Sequence, residues 1–497
     1  MIKKIVVALL ALLLVLACVL GFNTWRKGSR QLEVAPLAPL AVDEAGVVQR
    51  LGEAVRFRTV SSREDAKLNA DQYQALQQFL VVRFPRVHAV MKREVMDNMS
   101  VLMTWQGSQA SAKPIMLMAH QDVVPIAPGT EKDWAVAPFS GALKDGFIWG
   151  RGAWDNKGNL MSQLEALEAL AASGFKPERT IYLFWGAHEE IGGSTDAAQI
   201  AQLLKSRGVQ LDMVLDEGLL VTEGLLAGFD KPVALVGIAE KGYVSVKLSV
   251  NSSPGHSSMP PAAGSSAIAM MSSALQRIDG RQMPGAIGGV AREMFDTLAP
   301  EMKGFTRVAM SNLWLFSPLV QKQLESKAST NAMLRTTTAL TIVNAGNKEN
   351  VLPGRAEAVV NYRLLPGDSS QSMVERQKAL VAEVVPADHF EVAALPGPQE
   401  ASKVSPTDSA QYAVLSRSIR EVFPESIVAP GLMIGGTDSL HLAPVSVHIF
   451  KFSPVRAKPE DLARFHGTNE RIGVQNYLEA VRFYHRLLSQ ASKAPAQ

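Results

Sequence analysis

Cysteine is almost absent from this chain of 497 residues, which contains only Cys18. Cys18 lies in an apolar run near the N-terminus, so the rest of the chain has no thiol. The folded part can therefore contain no disulfide, no thiolate zinc site and no cysteine nucleophile. Any metal site in it must use histidine, aspartate and glutamate.

The chain also has no large excess of one charge, because its 50 Lys and Arg residues nearly balance its 47 Asp and Glu residues. No basic block interleaved with aromatic residues occurs, so no nucleic-acid partner is expected. Internal repeats and low-complexity tracts are absent as well. The apolar share of 47% and the charged share of 20% are typical of a globular protein. The length predicts two or three domains.

A long hydrophobic run does occur at the N-terminus, where residues 5–22 follow two lysines. Its eighteen residues span about 27 Å as a helix, close to the hydrocarbon thickness of a bilayer. We expect residues 1–30 to be an uncleaved membrane anchor, with a cleaved signal or a lipoprotein signal as alternatives. Basic residues flank the run on both sides, but such signals usually serve export. The folded part is therefore expected outside the cytoplasm, in the periplasm or outside the cell if the source is bacterial.

Strand-like and helical segments alternate after a predicted linker at residues 31–42. A helical pattern at residues 42–84 comes first. Further along, the pattern predicts strands at 100–105, 115–119, 180–187 and 213–215, and helices at 159–173 and 196–207. This alternation predicts an α/β domain at residues 43–240, with a mostly parallel sheet covered by helices. Ligands of such sheets gather at the carboxyl ends of the strands.

A second pattern begins near residue 241. Predicted elements follow in the order strand, helix, strand, strand, helix, strand, at 241–251, 265–277, 337–344, 355–364, 370–385 and 390–394. This order is that of a split βαβ sandwich, so we predict an inserted ferredoxin-like α+β domain at residues 241–398. The stretch up to about residue 329 has no clear pattern. Residues 399–497 are expected to return to the first domain.

Five short segments carry residues that could bind metal ions. They are Met-Ala-His-Gln-Asp at 118–122, Gly-Arg-Gly-Ala-Trp-Asp at 150–155, His-Glu-Glu at 188–190, Asp-Glu-Gly at 216–218 and Phe-His-Gly at 465–467. Imidazole and carboxylate groups are zinc ligands, and two zinc ions about 3.5–4 Å apart can activate water for attack on an amide. Hydrolysis is therefore the leading functional hypothesis.

Two of these segments suggest roles for individual side chains. His120 and Asp122 lie on the same side of an extended backbone, so Asp122 can accept a hydrogen bond from a metal-bound His120. Asp155 precedes a predicted helix, where it is either an N-cap or a carboxylate that bridges two cations.

The remaining segments leave alternatives open. Glu189 and Glu190 form either a solvated loop or a pair in which one binds metal and the other acts as a general base. Either Asp216 or Glu217 could be a ligand, and nothing local decides between them. His466 lies in a polar loop, where a capping or surface role is an alternative to ligation.

Seven motifs in register resemble a family of co-catalytic zinc metallopeptidases. Besides the five segments above, they include Pro-Gly-His-Ser-Ser at 254–258 and Asn-Tyr-Arg-Leu-Leu-Pro-Gly at 361–367. The family includes carboxypeptidase S, aminoacylase, glutamate carboxypeptidase and acetylornithine deacetylase, and the match runs from about residue 45 to 490. The chain is most similar to the branch of membrane-anchored carboxypeptidase S and N-fatty-acyl-amino-acid hydrolases. The resemblance implies a zinc-exopeptidase-like fold whose inserted domain acts as a lid and could form a homodimer.

The resemblance also implies residue roles and a cofactor. Two zinc ions, or other divalent ions such as Co²⁺ or Mn²⁺, would be held by one set of ligands, namely His120, Asp155, Glu190, Glu217 or Asp216, and His466. Asp155 would bridge the two ions, and Glu217 is favoured over Asp216. Glu189 would be the base that takes a proton from a water shared by the ions. Asp122 and His256 would assist catalysis, His256 as an oxyanion stabiliser, and Asn350 and Arg363 would line the substrate site.

One position departs from the family pattern. Related sequences often carry Gly-Gly-Thr-Asp-Ser-Arg, whereas this chain has Leu440 in place of the arginine. Leucine cannot make the bidentate contact of an arginine with a substrate carboxylate, unless Arg363 or Lys451 supplies it. The expected activity is hydrolysis of an amide bond in a peptide or N-acyl amino acid. The alternatives are a catalytically impaired, membrane-tethered binding protein and a different metal-dependent hydrolase such as a phosphatase.

Overall fold

A computed structural model describes residues 1–65, 67–96, 99–226 and 228–494. Its helices are α1 (Ile2–Arg26), α2 (Glu44–Val55), α3 (Ala70–Arg83), α4 (Pro85–Val90), α5 (Lys157–Ala172), α6 (Ala197–Ser206), α7 (Ala267–Gly280), α8 (Gly289–Leu298), α9 (Gly304–Ser311), α10 (Leu313–Glu325), α11 (Ala328–Leu334), α12 (Ser370–Ala382), α13 (Ala410–Val422) and α14 (Val474–Ala491). Its strands are β1 (Lys92–Val95), β2 (Val101–Trp105), β3 (Ile115–His120), β4 (Ala142–Lys144), β5 (Phe147–Trp149), β6 (Ile181–Gly186), β7 (Met213–Thr222), β8 (Val233–Glu240), β9 (Gly242–Asn251), β10 (Gly255–His256), β11 (Thr337–Ala345), β12 (Val351–Leu352), β13 (Arg355–Leu364), β14 (Phe390–Ala394), β15 (Ile427–Met433), β16 (Ile449–Ala457) and β17 (Arg471–Gly473).

An eight-stranded sheet organises the main domain, in the order β1-β2-β6-β3-β7-β16-β8-β15. Its centre, β6-β3-β7-β16, is parallel, as is the pair β8–β15, whereas β1 and β2 are antiparallel to their neighbours. Successive side chains of β3 point to opposite faces: Ile115 and Leu117 join the core under α5 and α14, and Met116 and Met118 join the core under α6. Both faces are thus covered, which confirms the predicted α/β architecture.

The helical pattern at residues 42–84 is wrong as one continuous element. The structure has two helices, α2 and α3, and the segment between them runs along the end of β3. There the Thr59 hydroxyl donates to the Gln121 carbonyl at 2.6 Å, and the Val123 amide donates to the Thr59 carbonyl at 3.0 Å. These contacts draw the chain out of the helical conformation that its local apolar spacing favours.

The inserted domain is a four-stranded antiparallel sheet in the order β11-β13-β9-β14, with α7 and α12 packed on one face. This is the ferredoxin-like arrangement predicted from the element order. The stretch without a clear pattern forms α8 to α11. These helices pack against the edge of the main sheet, where Leu298 and Met310 share a core with Ile427 and Ala429 of β15.

The N-terminal helix α1 is long and apolar enough to cross a membrane, with a mean hydropathy of 3.2 over its best window. A signal sequence near an N-terminus meets the same criterion. The following segment lies along the main domain: the Gln31 side chain forms two hydrogen bonds with the backbone of Val428, and the Leu37 amide donates to the Glu421 carbonyl.

Candidate metal centre

Three of the predicted segments meet at the carboxyl edge of the main sheet. His120 is the last residue of β3, and Glu189 and Glu190 form a turn just after β6. Asp216 and Glu217 were expected after a strand but lie inside β7. The register with β16 shifts there, so that Glu217 and Gly218 form a bulge. Bulges re-aim side chains, and this one accounts for two adjacent acids that point in different directions.

The other two segments are brought together by a small sheet. β5 leads into the segment that ends at Asp155, and β17 follows the loop that contains His466. Because β5 pairs with β17, with Trp149 opposite Arg471, the two loops lie side by side. This pairing spans more than three hundred residues of sequence.

Asp155 lies between the two histidines. Its Oδ1 is 3.1 Å from Nε2 of His120, and its Oδ2 is 2.7 Å from Nε2 of His466. The carboxylate is buried, and it presents one oxygen to each imidazole. The Asp155 carboxylate therefore lies between the two imidazoles, with one oxygen near each.

One further carboxylate accompanies each histidine. Glu217 Oε1 lies 3.2 Å from His120 Nε2, and Glu190 Oε2 lies 3.3 Å from His466 Nε2. Asp216 points away, because its oxygens accept the backbone N–H groups of Glu217 and Ser439 at 2.9 and 2.8 Å. The geometry thus separates the two acids that the sequence left open.

Asp122 and Glu189 complete the cluster. Asp122 Oδ1 lies 3.2 Å from Nδ1 of His120, and its two oxygens accept the backbone N–H groups of Glu189 and Glu190 at 3.3 and 3.1 Å. Asp122 therefore couples the orientation of His120 to the turn after β6. The Glu189 carboxylate lies 3.9 Å from His120 Nε2 and keeps 15% of its side chain exposed.

Crowding of carboxylates shifts the proton affinities of the cluster. Burial raises the pKa of Glu189 well above its usual value and raises the pKa of Glu217 to about 8, and neighbouring negative charges add to both shifts. Hydrogen bonds to Asp155 and Glu190 raise the pKa of His466 to about 10. Positive charge is therefore strongly favoured at this site.

The donor set fits divalent cations. His120, Asp155 and Glu190 offer ligand atoms within 4.8 Å of one another, and so do His120, Glu189 and Glu217, so that His120 belongs to both groups. Glu190 Oε1 is buried and has no hydrogen-bond partner among the described residues. Nitrogen and carboxylate oxygen donors without thiolates are a typical ligand set for zinc and related divalent ions.

Glu470 is a site residue that the sequence reasoning missed. Its side chain is fully buried, and its Oε1 accepts the backbone N–H groups of Gly152, Trp154 and Asp155 at 2.9 to 3.1 Å. Its Oε2 pairs with Arg151 at 2.5 Å. Arg151 also donates to the backbone carbonyls of 466 and 467. The pair therefore connects the Asp155 segment to the His466 loop. The residues around Glu470 in the sequence form no pattern that predicts this connection.

Replacement of Glu470 by alanine is expected to lower the free energy of unfolding by about 3–5 kcal/mol, because Arg151 would stay buried without its partner. Chemical denaturation would measure the loss. Glu460→Ala, which alters an exposed carboxylate in the same region, is the matched control. Equal stability of the two variants would contradict the role assigned to Glu470.

The predicted substrate residues lie in the inserted domain. His256 is exposed, and its Nδ1 is 2.8 Å from Ser258 Oγ. The carbonyl of Asn350 accepts the Ser257 amide, so Asn350 and His256 lie on adjoining segments. Arg363 stacks over the ring of Tyr243 at 4.9 Å. Within the described part of the chain, no hydrogen bond or ion pair joins His256, Asn350 or Arg363 to the metal-ligand cluster.

Lys451, one of the two side chains expected to bind a substrate carboxylate, lies next to a buried acid. Its side chain is 1% exposed and lies 3.9 Å from the buried carboxylate of Glu240. Glu240 also accepts the Thr437 amide, which holds the segment leading to Leu440. Leu440 itself is half-buried. Leu440 therefore presents an aliphatic side chain directly after the Gly-Gly-Thr-Asp-Ser segment at 435–439.

The chain is similar to several known proteins over most of its length. The sequence model described as Peptidase family M20/M25/M40 matches residues 116–490. The N-fatty-acyl-amino acid synthase/hydrolase PM20D1.1 of Danio rerio is 40% identical over 98% of this chain and 94% of its own length. The probable carboxypeptidase S-like 2 of Dictyostelium discoideum is 37% identical over 97% of this chain and 93% of its own. Carboxypeptidase S of Saccharomyces cerevisiae is 29% identical over 89% of this chain and 83% of its own length.

Solved structures share the fold at low sequence identity. The M20 family metallo-carboxypeptidase Sso-CP2 from Sulfolobus solfataricus superposes with a TM-score of 0.64 at 17% identity, over 91% of this chain and 100% of its own. Human carnosine dipeptidase 1 superposes with a TM-score of 0.60 at 16% identity, over 90% and 96%. Both likenesses extend across the main and inserted domains.

Proposed function

The chain belongs to peptidase family M20/M25/M40, and from this premise we propose that it uses a pair of zinc ions to hydrolyse N-fatty-acyl amino acids. The broader activity follows from the family: the protein is a metal-dependent hydrolase of amide bonds in peptides or N-acyl amino acids. The observation that carries the paired-metal part of the proposal is the two-sided position of Asp155 between His120 and His466, each with its own glutamate.

The ligands divide into two sets that share Asp155. His120 and Glu217 would hold one ion, and His466 and Glu190 would hold the other. Asp216 is not assigned as a ligand because its oxygens are engaged by backbone amides. Bound divalent ions supply Lewis-acid polarisation of an amide carbonyl and acidify water. Co²⁺ or Mn²⁺ fits the same donors.

Glu189 is the residue we assign as general base. It is the carboxylate of the turn that is not needed as a ligand, and its partial exposure leaves it open to the substrate side. There it would take a proton from the attacking water and transfer it to the leaving amine nitrogen. Asp122 would hold His120 and the Glu189 backbone in place. His256, Asn350 and Arg363 would contact the substrate as the inserted domain closes on it.

Leu440 is the residue we assign to substrate selection. It presents an aliphatic side chain where an arginine would otherwise bind a carboxylate, and Lys451 is too buried to replace that arginine. A fatty-acyl chain would therefore pack on Leu440, and the carboxylate of the amino acid would be left to Arg363. The names of the relatives that act on N-fatty-acyl amino acids support this choice.

A Leu440→Arg variant is expected to lose about tenfold or more in kcat/KM for a long-chain N-acyl amino acid, because a buried aliphatic contact is lost. Its activity on an N-acetyl amino acid should fall much less. Release of free amino acid by purified protein with added zinc measures both. Leu440→Met, which conserves volume and apolarity, is the control that should resemble the native protein. An unchanged ratio of long-chain to acetyl substrates in Leu440→Arg would contradict the assignment.

We also propose that α1 remains attached as a membrane anchor, with the catalytic part outside the cytoplasm. Lys27, at the end of α1, pairs with Asp296 of α8 at 2.5 Å, and α1 packs against α9. A cleaved signal would not need such contacts with the folded domain. A fluorophore at Leu10 of the full-length chain should accordingly lie in lipid.

A homodimer through the inserted domain is a further proposal. Strand β11 is at the edge of its sheet and exposes Leu340, Ile342 and Val343 by 39 to 54%. An exposed apolar edge strand favours pairing with another strand, and a second copy offers an identical edge. Ile342→Lys should shift the sedimentation coefficient from dimer to monomer, whereas Val447→Lys, at an exposed site outside this sheet, should not. A monomeric native protein would exclude the dimer.

A further inference from the structure

The C-terminal part of α1 is joined to the main domain through Asn312, which is fully buried. The Asn312 side-chain amide donates to the Leu20 carbonyl and to the Thr24 hydroxyl, both at 3.2 Å. Its Oδ1 accepts a hydrogen bond from Asn23 at 2.9 Å. One buried side chain thus fixes the helix relative to the loop between α9 and α10.

These contacts extend into the apolar run of α1. The half-buried residues of the helix and its cap are Leu16, Leu20, Asn23, Thr24 and Lys27. Their spacing places them on one face of the helix. Leu16 lies six residues before the end of the apolar run at Phe22, which is about 9 Å along the helix axis. Protein therefore packs beside a part of α1 that would be within the hydrocarbon boundary of a bilayer.

The helices beside α1 expose large apolar side chains. Phe305 of α9 is 64% exposed, and Trp314, Leu315 and Leu319 of α10 are 61, 40 and 57% exposed. Pro318 is exposed as well. The four α10 residues follow the spacing i, i+1, i+4, i+5, so they form one outward face over two turns. We refer to these five residues as the α9–α10 apolar surface.

Polar groups border this surface at the end of α1. A cleft of about 320 Å³ is lined there by Arg26, Lys27 and Arg292 together with Trp314. Trp314 Nε1 donates to Asn312 Oδ1 at 3.2 Å, and Trp25 of α1 is 77% exposed. Tryptophan and basic residues at one level are typical of the boundary between hydrocarbon and headgroups.

The α9–α10 apolar surface is attached rigidly to the catalytic sheet. Met310 of α9 and Leu313 of α10 are buried in the same core as Phe295 of α8 and as Ile427 and Ala429 of β15. Contact of this surface with a membrane would therefore fix the position of the whole main domain.

We propose that the α9–α10 apolar surface is embedded in the leaflet of the bilayer that α1 crosses, on the side of the catalytic domain. This proposal rests on the proposed retention of α1 as an anchor. A bilayer is the occupant that fits, because the surface lies on helices that pack beside the membrane-length helix α1 and is bordered by cationic and tryptophan side chains. The expected depth is about 5–10 Å, as for helices that lie in a membrane interface.

Such a placement would hold the main domain close to the lipid surface. Each CH₂ group of the acyl chain makes the partitioning of an N-fatty-acyl amino acid into a bilayer more favourable, so the enzyme would draw substrate from the leaflet that it touches. The surface would also fix the orientation of the carboxyl edge of the sheet relative to the membrane.

The scarcity of cysteine makes a direct test simple. In a Cys18→Ser background, single cysteines replace Phe305 or Leu319, with Leu10 as the anchor position and Val447 and Leu143 as exposed apolar controls outside the surface. Each full-length protein is labelled with an environment-sensitive fluorophore and reconstituted into phosphatidylcholine vesicles that contain lipids with a quencher near the headgroup. Labels at 10, 305 and 319 should be quenched, whereas those at 447 and 143 should not.

The outcomes separate the two proposals. Quenching at Leu10 with none at Phe305 and Leu319 would overturn the embedded surface while the anchor stands. Quenching at Phe305 and Leu319 without quenching at Leu10 would show that the surface touches lipid although α1 does not cross it, and would overturn both the spanning anchor and the proposal as stated. Absence of quenching at all three positions would overturn both. Replacement of only one of these exposed side chains at a time keeps the risk of misfolding small, and circular dichroism of each variant checks it.

Discussion

A Glu189→Gln variant is expected to keep its metal ions and to lose about 10²–10⁴-fold in kcat, the range attributed to a single general base. Glutamine preserves the shape of the side chain but cannot take a proton from water. The Glu189 carboxylate is 3.9 Å from His120, whereas Glu217 lies at 3.2 Å from the same nitrogen, so removal of the Glu189 charge should disturb ligation less. Steady-state kinetics and metal analysis of the same preparation measure both effects.

The neighbouring residue supplies the matched control for Glu189. Glu190→Gln removes a carboxylate that lies 3.3 Å from His466, and we expect this variant to lose metal as well as activity. The contrast between the two adjacent substitutions separates a base from a ligand. A Glu189→Gln protein with native kcat, or one that has lost its metal, would refute the assigned role.

An Asp155→Asn variant is expected to lose the greater part of both its metal content and its activity. Asp155 lies between the two histidines, at 3.1 and 2.7 Å, so its substitution weakens both proposed metal sites together. Metal that binds the folded state raises the unfolding temperature by mass action. Added zinc should therefore raise the melting temperature of the native protein after chelation, but should have little effect on that of the variant.

Asp388→Asn is the control for this experiment, because Asp388 is 83% exposed in the inserted domain. It should respond to zinc as the native protein does. If Asp155→Asn retained two equivalents of metal by elemental analysis, Asp155 could not be the shared ligand. If it lost metal but kept full activity, the paired-ion mechanism itself would be excluded.

Much of the architecture could be predicted from local pattern. Buried strands such as β3 and β6 are short apolar runs, and the order of strands and helices in 241–398 predicted the four-stranded sheet β11-β13-β9-β14 with its two helices. Alternation of side chains along a strand is a local property, so it is visible in the sequence. The helices α8 to α11 were not predicted, because each is short and its apolar residues repeat over too few turns to give a clear helical pattern. They pack against β15 of the main sheet, although they lie between elements of the inserted domain in the sequence.

The candidate site shows the same division. Strand ends followed by acids or histidine marked His120, Glu189 and Glu190 in advance, since parallel strands deliver their carboxyl ends to one edge. The choice between Asp216 and Glu217 needed the bulge in β7, which depends on the register with β16. Glu470 could not be found, because its partners are backbone amides more than three hundred residues away.

The sequence by itself determined the types of ligand available, the α/β class of the main domain and the presence of an aliphatic side chain, Leu440, after the Gly-Gly-Thr-Asp-Ser segment. These follow from composition, periodicity and motif, all of which are encoded locally. Only the tertiary structure decided which acid of a pair faces His120, how Arg151 and Glu470 tie the two ligand loops together, and where α1 meets the catalytic domain. Each of these depends on groups that are far apart along the chain and become neighbours only when strands pair and helices pack.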